Sequence, residues 1–330
     1  MSRYLCFERE EIEMASFQKR GHDLTPENCL PLTTEGQKQY NHPDFSEFVR
    51  LIIKARTEGH PVVFMMGAHL IKLGLSRFLI DLMEKGFITH LATNGAGIIH
   101  DFELALGEGT SENVAHWIQK GQFGLWKETS QLNEVIQIAA ERGEGLGEGV
   151  GRFIAEQNLP RADLSLAAAG YRLGIPVTSH VSIGSDIIHS HANCCGASLG
   201  QASYTDFLIF TQTISELEGG VYLNVGSAVT GPEVYLKSLS MVRNRARQRG
   251  ESICHFTTAV FDLVSLPKGY REGPPSKDHP MYYYRPWKTI LVRTVADGGQ
   301  SYYFCGDHQR TIPSLWNSLK DSAKSLPKVA

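Results

Sequence analysis

The sequence predicts an α/β fold in which a mostly parallel, twisted sheet is flanked by helices on both sides. Three observations predict it. Short apolar runs such as Pro61-Val62-Val63-Phe64-Met65-Met66-Gly67 and Gly220-Val221-Tyr222-Leu223-Asn224-Val225 show little polar alternation, as strands buried on both faces do. Segments of helical periodicity separate these runs, the order expected of parallel strands joined by crossovers. Most of the runs end in glycine, serine or threonine, residues that suit turns at strand ends.

The elements follow in order. Residues 1–55 read as a polar arm, with Pro26, Pro31 and Pro43 limiting regular structure and a helix near Phe45–Thr57. That arm is expected to lie on the main domain or on a neighbouring subunit. Gly59-His60-Pro61 stops the helix, and residues 56–330 read as one α/β domain. After the first strand, residues 70–85 are a helix with Leu75, Leu79 and Leu82 on one side and Gly86 as its C-cap. Ile88–Thr93 is the second strand, and a helix starts near Ile98. GQFGLWKE marks a loop, Thr129–Arg142 a helix, and GEGLGEGVG either a low-complexity loop or a mobile element over a pocket. A helix closes near Ser165–Gly170 and a strand follows Gly174-Ile175-Pro176-Val177. Asp206–Glu218 and Glu233–Gly250 read as helices, Ile253–Ala259 as a strand, and 263–286 as irregular. Lys288–Thr294 and Ser301–Phe304 read as late strands that add an antiparallel edge, followed by a helix over Thr311–Leu319.

Composition excludes several function classes. The formal net charge is -3 and basic residues are dispersed, so no electrostatic footprint for nucleic acid is present. The cluster Arg243, Arg245, Arg247 and Arg249 reads as the polar face of a helix. No stretch reaches the about 18 apolar residues of a membrane helix. The acidic start MSRYLCFEREEIEM has no apolar segment of signal-peptide type. Six cysteines without a C-x-x-C pair suggest buried thiols in a reducing compartment, so a cytoplasmic protein is expected. His180, His189, His191, Cys194 and Cys195 form the densest group of metal-type ligands, but their spacing matches no zinc signature and no metal is expected.

In an open parallel sheet, ligands bind beyond the carboxyl ends of the strands. The candidates there are Gly67-Ala68-His69, Thr93-Asn94-Gly95-Ala96-Gly97, Ser182–Asp186, Gly226-Ser227 and Thr257-Thr258. Small residues allow backbone N–H groups to approach a phosphate, so these ends together point to a nucleotide or dinucleotide. A side chain at Gly95 is expected to fill space that the ligand needs. Position 100 is His, so Gly95-Ala96-Gly97 lacks the third glycine of G-x-G-x-x-G, and no P-loop motif occurs.

The order of these blocks resembles the deoxyhypusine synthase family over roughly residues 60–310. Val63–Ile71 is similar to that family's first cofactor unit, and Thr93–Asp101 to its Thr-Thr-Ala-Gly-Gly-Val-Glu-Glu-Asp motif. Gly174–Val177 with Ser182–Ser185 resembles its I-P-V … T-D-G-S segment, Gly226–Val229 its G-G-G-V and Phe256–Ala259 its I-N-T-A. Trp287-Lys288 stands where the family has Ser-Trp-Gly-Lys with a catalytic lysine. The resemblance implies a Rossmann-like, deoxyhypusine-synthase-type domain that binds NAD through Gly67, Ala68, Thr93, Asn94, Gly95, Gly97, Asp101, Gly226, Ser227, Thr257 and Thr258. It implies aminobutyl transfer from spermidine or a related polyamine to an amine acceptor, through an imine on Lys288, with Trp287, Asp186, Glu233 and His100 around it. It also implies a homotetramer. A different NAD-dependent amine enzyme, or a non-catalytic nucleotide-binding homologue, are the alternatives.

The chain departs from the family pattern at chemically important places. Glu-Glu-Asp reads Ile99-His100-Asp101, the T-D-G-S aspartate is Ile183, and the glycine before Lys288 is missing. Tyr282, Tyr283, Tyr284 and Trp287 give this segment aromatic faces on which a cationic amine chain would be held. The other reading of Lys288 is a surface lysine at the start of a strand.

Overall fold

A computed structural model describes residues 2–33, 35–36 and 39–323. Six strands, β1 (Val62–Met66), β2 (His90–Asn94), β3 (Val177–His180), β4 (Val221–Val225), β5 (Thr257–Asp262) and β6 (Gln300–Cys305), form one sheet in the order β3-β2-β1-β4-β5-β6. Every neighbouring pair is parallel. The helices in chain order are α1 (Phe45–Glu58), α2 (His69–Lys72), α3 (Ser76–Glu84), α4 (Gly95–Ala105), α5 (Val114–Ile118) and α6 (Lys127–Arg142). They continue as α7 (Leu146–Glu156), α8 (Leu166–Leu173), α9 (Gly196–Ile214), α10 (Thr230–Gln248) and α11 (His308–Ala323).

Alternate residues of the strands divide the core into two layers, as the pleat requires. Val62, Phe64 and Met66 of β1 join Leu91, Leu223 and Phe261 beneath α1, α3, α4, α8 and α11. Val63 and Met65 join Tyr222 and Val260 on the other face, beneath Phe210 of α9 and Leu239 of α10. The parallel sheet covered on both faces is therefore as the apolar runs predict.

Four expectations about elements are corrected. The late sheet edge is parallel: β6 pairs with β5 from Thr257–Gln300 to Asp262–Cys305. Residues 288–294 are not a strand. Pro286–Val292 is a π-helical segment, with Trp287, Lys288, Ile290 and Leu291 buried. β6 already occupies the free edge of β5, so this segment packs on the face of the sheet, where the Thr258 hydroxyl donates to the Ile290 carbonyl at 3.0 Å.

GEGLGEGVG is neither a loop nor a flap; from Leu146 onward it is α7. A Cβ on Gly147 would stand 1.8 Å from the Val177 carbonyl oxygen, and one on Gly151 would stand 2.3 Å from that of Ala167. The glycines let α7 approach β3 and α8 backbone to backbone. The expected strand over Ile253–Ala259 begins only at Thr257. Glu218 Oε2 accepts from the backbone N–H groups of Cys254 at 2.6 Å and His255 at 3.0 Å, which diverts these residues from the sheet ladder.

The arm lies on the same body. Arg20 reaches into it, Ala15 bridges to Trp126, Leu24 bridges to Thr110, and α1 buries Phe45, Phe48, Val49 and Ile52. Among the described residues no helix is long and apolar enough to cross a membrane.

Candidate functional site

The strand order reverses direction between β1 and β4, which places the ligand crevice of a doubly wound sheet beyond their carboxyl ends. Gly67 and Gly226 meet there. The Gly67 N–H donates to the Val225 carbonyl at 3.0 Å, and a Cβ on Gly67 would lie 2.1 Å from the Gly226 carbonyl oxygen. Gly226 has φ +60 and His308 Nε2 stands 3.0 Å from its Cβ position. Ala68 leads into α2 beside this contact. Ser227 Oγ accepts from the Gly231 N–H, in the first turn of α10, at 2.9 Å.

The Thr93–Asp101 block folds as the end of β2 and the start of α4. Asn94 is the N-cap, its Oδ1 accepting from the Gly97 N–H at 2.9 Å. The Thr93 hydroxyl is packed under Gly97, whose Cβ would lie 1.9 Å from Oγ1. Beside Gly95 stands the Asp186 carboxylate. The space expected for a diphosphate at this turn is thus filled by the protein's own acceptor, which would repel a phosphate. Asp101 points elsewhere. It accepts from Ser165 Oγ at 2.6 Å and from the N–H groups of Leu166 and Ala167, so it caps α8. Burial pushes its pKa up to about 6, against those three bonds.

Thr257 and Thr258 do not join this edge. The strand starts with them, so they stand at the amino end of β5, and its carboxyl end is Asp262. Asp262 Oδ2 accepts from the Tyr284 hydroxyl at 2.6 Å.

The residues expected to carry chemistry fall into two groups. Lys288, Trp287 and Glu233 lie around β4 and β5. Lys288 is 3% exposed, and its Nζ is 3.8 Å from the centroid of the Tyr282 ring. The aromatic face expected to hold a substrate amine thus faces the lysine's own ammonium. Trp287 Nε1 donates to the Tyr270 carbonyl at 2.9 Å. Glu233, in the first turn of α10, pairs with Lys237 and lies 3.1 Å from Arg285 Nε. The bond from Lys237, with further help from the charges of Arg285 and Lys288, holds its carboxyl below the usual range.

Asp186 and His100 lie beyond the ends of β2 and β3. That is three inter-strand spacings from β5, roughly 14 Å. They share a cavity of about 220 Å³ with Lys72 of α2, Arg20 of the arm and Glu112 of the loop after α4. His100 Nδ1 bonds the Thr110 hydroxyl at 2.7 Å, and burial pushes its pKa down to about 4, so its ring is neutral. Burial pushes Asp186 up to about 6. Arg20 donates to both oxygens of Glu103 at 3.0 Å and is stacked on Phe17. Thr129 and Thr110 complete the Glu103 carboxylate. Glu112 Oε1 accepts from Trp126 Nε1 at 2.9 Å and the Gly124 N–H at 3.2 Å, while Oε2 is buried without a hydrogen-bond partner.

Sequence reading did not find Arg20, Lys72, Glu103 or Glu112. They belong to four separate segments, and no motif or periodicity links them. The histidine and cysteine cluster disperses: His180 bonds Thr178 inside the core, His191 bonds the Gly124 carbonyl, and Cys195 starts α9.

Comparison with protein-family models finds no match, and neither does comparison with curated proteins. Solved structures do align. A conserved LOR/SDH protein from Methanococcus maripaludis S2 is 14% identical with a TM-score of 0.47, over 89% of this chain and 74% of the other. AgrE in a ternary complex with ornithine and NAD+ is 14% identical with a TM-score of 0.47, over 86% of this chain but only 33% of AgrE. A protein named as a deoxyhypusine synthase from Entamoeba histolytica is 12% identical with a TM-score of 0.40, over 84% and 87% of the two chains. At these identities and TM-scores the alignments say nothing about residue roles.

Proposed function

We propose that this protein is an NAD-dependent enzyme of small-amine chemistry. The amine half of the reading is carried by one observation: Glu112 and Asp186 line a partly open cavity at the carboxyl edge of the sheet, and Glu112 Oε2 is buried there without a hydrogen-bond partner. Buried carboxylates in that state favour a cationic ligand.

The nucleotide half is supported by the strand order, whose reversal at β1 and β4 is where such sheets bind nucleotides. The backbone of Gly67, Ala68, Gly226 and Ser227 would hold NAD there. The turn at Gly95–Gly97 does not fit a diphosphate while Asp186 stands against it. Bound NAD would supply a hydride acceptor for oxidation at the carbon beside an amine nitrogen.

The finer reading is aminobutyl transfer from spermidine to an amine acceptor. Oxidation removes a hydride and a proton across a carbon–nitrogen bond of spermidine. The Lys288 amine, once it has given up its proton, replaces departing 1,3-diaminopropane on that carbon and holds the four-carbon fragment as an imine. Support comes from the burial of Lys288 and the nearness of Glu233. The separation of Lys288 from Asp186 speaks for a substrate that spans the crevice, or for a different amine reaction at the cavity alone. The homotetramer belongs to the same reading and is tested by sedimentation at micromolar concentration.

Calorimetry with NAD is the first test, with binding tighter than about 1 mM expected. Absence of binding would favour a homologue that holds an amine without the nucleotide, the reading that Asp186 beside α4 supports. Incubation with NAD and spermidine, borohydride reduction and intact-mass measurement test Lys288. An adduct that persists in Lys288→Arg removes that lysine from the mechanism.

A further inference from the structure

We infer that the cavity at Glu112 and Asp186 selects a small aminocarboxylate, a molecule with a primary ammonium and a carboxylate on a short apolar chain. This rests on the small-amine reading above and names its ligand class.

Glu112 is 7% exposed, with Oε1 committed to Trp126 and Gly124 and Oε2 unpartnered. A buried carboxylate oxygen without a donor is costly, and an ammonium offers three donors and the opposite charge. Asp186 has a side chain 9% exposed, and its nearest basic group is His189 Nε2 at 3.9 Å. Burial lowers the pKa of His189, so that ring does not neutralise the carboxylate near pH 7. The closest buried cation, Arg20, hydrogen-bonds both oxygens of Glu103 and stands 3.9 Å from Glu112 Oε1, on the side away from the unpartnered Oε2. Three carboxylates, Glu103, Glu112 and Asp186, line the cavity against two cations, Arg20 and Lys72, so a ligand that brings a positive charge to the Glu112 and Asp186 end is favoured.

A diamine would meet that need but would bring its second ammonium into a cavity that Lys72 also lines. Lys72 is half-buried and forms no ion pair among the described residues. A carboxylate at the other end of the ligand removes the repulsion and gives Lys72 a partner. Phe123 and Ile187 supply apolar wall for the chain between the two charges. The volume, about 220 Å³, is that of about seven waters, which suits a ligand of roughly six to nine heavy atoms.

The test is calorimetry on the full chain with four probes of matched length: 4-aminobutyrate, butylamine, putrescine and butyrate. The aminocarboxylate is expected to bind at least tenfold more tightly than the amines or the acid. Glu112→Gln keeps an oxygen for Trp126 and Gly124 and is expected to weaken 4-aminobutyrate and the amines tenfold or more. Lys72→Met, at a half-exposed position, is expected to weaken 4-aminobutyrate to the level of butylamine and leave butylamine unchanged. Circular dichroism establishes that both variants are folded. Amines that bind as tightly as the aminocarboxylate would overturn this inference and leave the small-amine reading standing. A failure of all four probes to bind would overturn both.

Discussion

The carboxylate of Asp186 occupies the space in which a Cβ on Gly95 would stand, with Oδ2 only 2.1 Å from that position. At Gly67 the same space is taken by the carbonyl oxygen of Gly226. These two close approaches differ in how they can yield. A side chain on a loop can swing aside, whereas a carbonyl in the backbone at the end of β4 cannot. Gly67→Ala is therefore expected to cost about 1–3 kcal/mol in urea unfolding. Gly95→Ala is expected to cost less, and Asp186→Ala in the same chain should restore the loss, because α4 then gains alanine's helix preference of up to about 1 kcal/mol. Substitution at Gly95 meets Asp186 before it meets any ligand. Equal costs at the two glycines, or no rescue, would contradict the contact.

Acid should destabilise the protein through His90 and His180. His90 bonds the hydroxyls of Thr213 and Thr178, and Thr178 also bonds His180. Burial pushes both pKa values down to about 3. The unfolded chain takes up these protons near pH 6.5 and the folded chain does not. The contribution is complete above about pH 6.5 and is lost as pH falls toward 3, by up to about 1.4 kcal/mol per pH unit for each ring. In unfolding curves between pH 7 and 4, His90→Gln is expected to show a shallower acid slope than wild type.

Asp206 should act in the opposite direction. Its Oδ2 accepts from the N–H groups of Ser179 at 2.7 Å and Gly147 at 3.0 Å, and Oδ1 has no partner. Burial outweighs those bonds and pushes its pKa up to about 8. The folded chain holds a proton that the unfolded chain releases near pH 4, so stability declines as pH rises from about 4 to 8. Asparagine reproduces the neutral acid at this site. Asp206→Asn is expected to match wild type near pH 4 and to exceed it at pH 8. A variant less stable at both pH values would refute the protonated state.

Loss of Arg20 should expose how far the arm belongs to the domain. Its guanidinium is bidentate on Glu103, and both side chains are 1% exposed. Arg20→Ala leaves that carboxylate without its cation and is expected to cost about 3–5 kcal/mol. Arg20→Met with Glu103→Leu, which removes both charges, should recover most of that stability, as read by thermal unfolding. No recovery would mean that Thr110 and Thr129 need the carboxylate more than Glu103 needs Arg20.

The strands legible in the sequence were those whose apolar runs ended at clear stops. β1 and β4 stand nearly where the runs from Pro61 and Gly220 predict them. Local pattern failed where a distant group intervened. Glu218 holds Cys254 and His255 out of β5, which moved Thr257 and Thr258 to the opposite end of the strand from the one expected. The glycines of α7 resembled a flexible loop because the backbones they accommodate, at Val177 and Ala167, lie elsewhere in the chain. Asp186 and His100 were recognised as polar residues near strand ends, but nothing local indicated that they share a cavity with Arg20, Lys72 and Glu112.

The sequence by itself determined the alternation of apolar strands and periodic helices, and with it a parallel sheet covered on both faces. Those properties depend on side-chain period and on turn residues, which are encoded within a few positions of each other. Only the tertiary structure decided what fills the space beside each glycine and which charges are paired. Arg20 meets Glu103 across 83 positions and the Gly124 carbonyl meets His191 across 67. Such pairs form when the chain closes on itself, because burial leaves each polar group the choice of a partner or a desolvation cost. Glu112 Oε2 and Arg20 Nε, on two residues that line this cavity, are groups that the fold buries without giving them a hydrogen-bond partner.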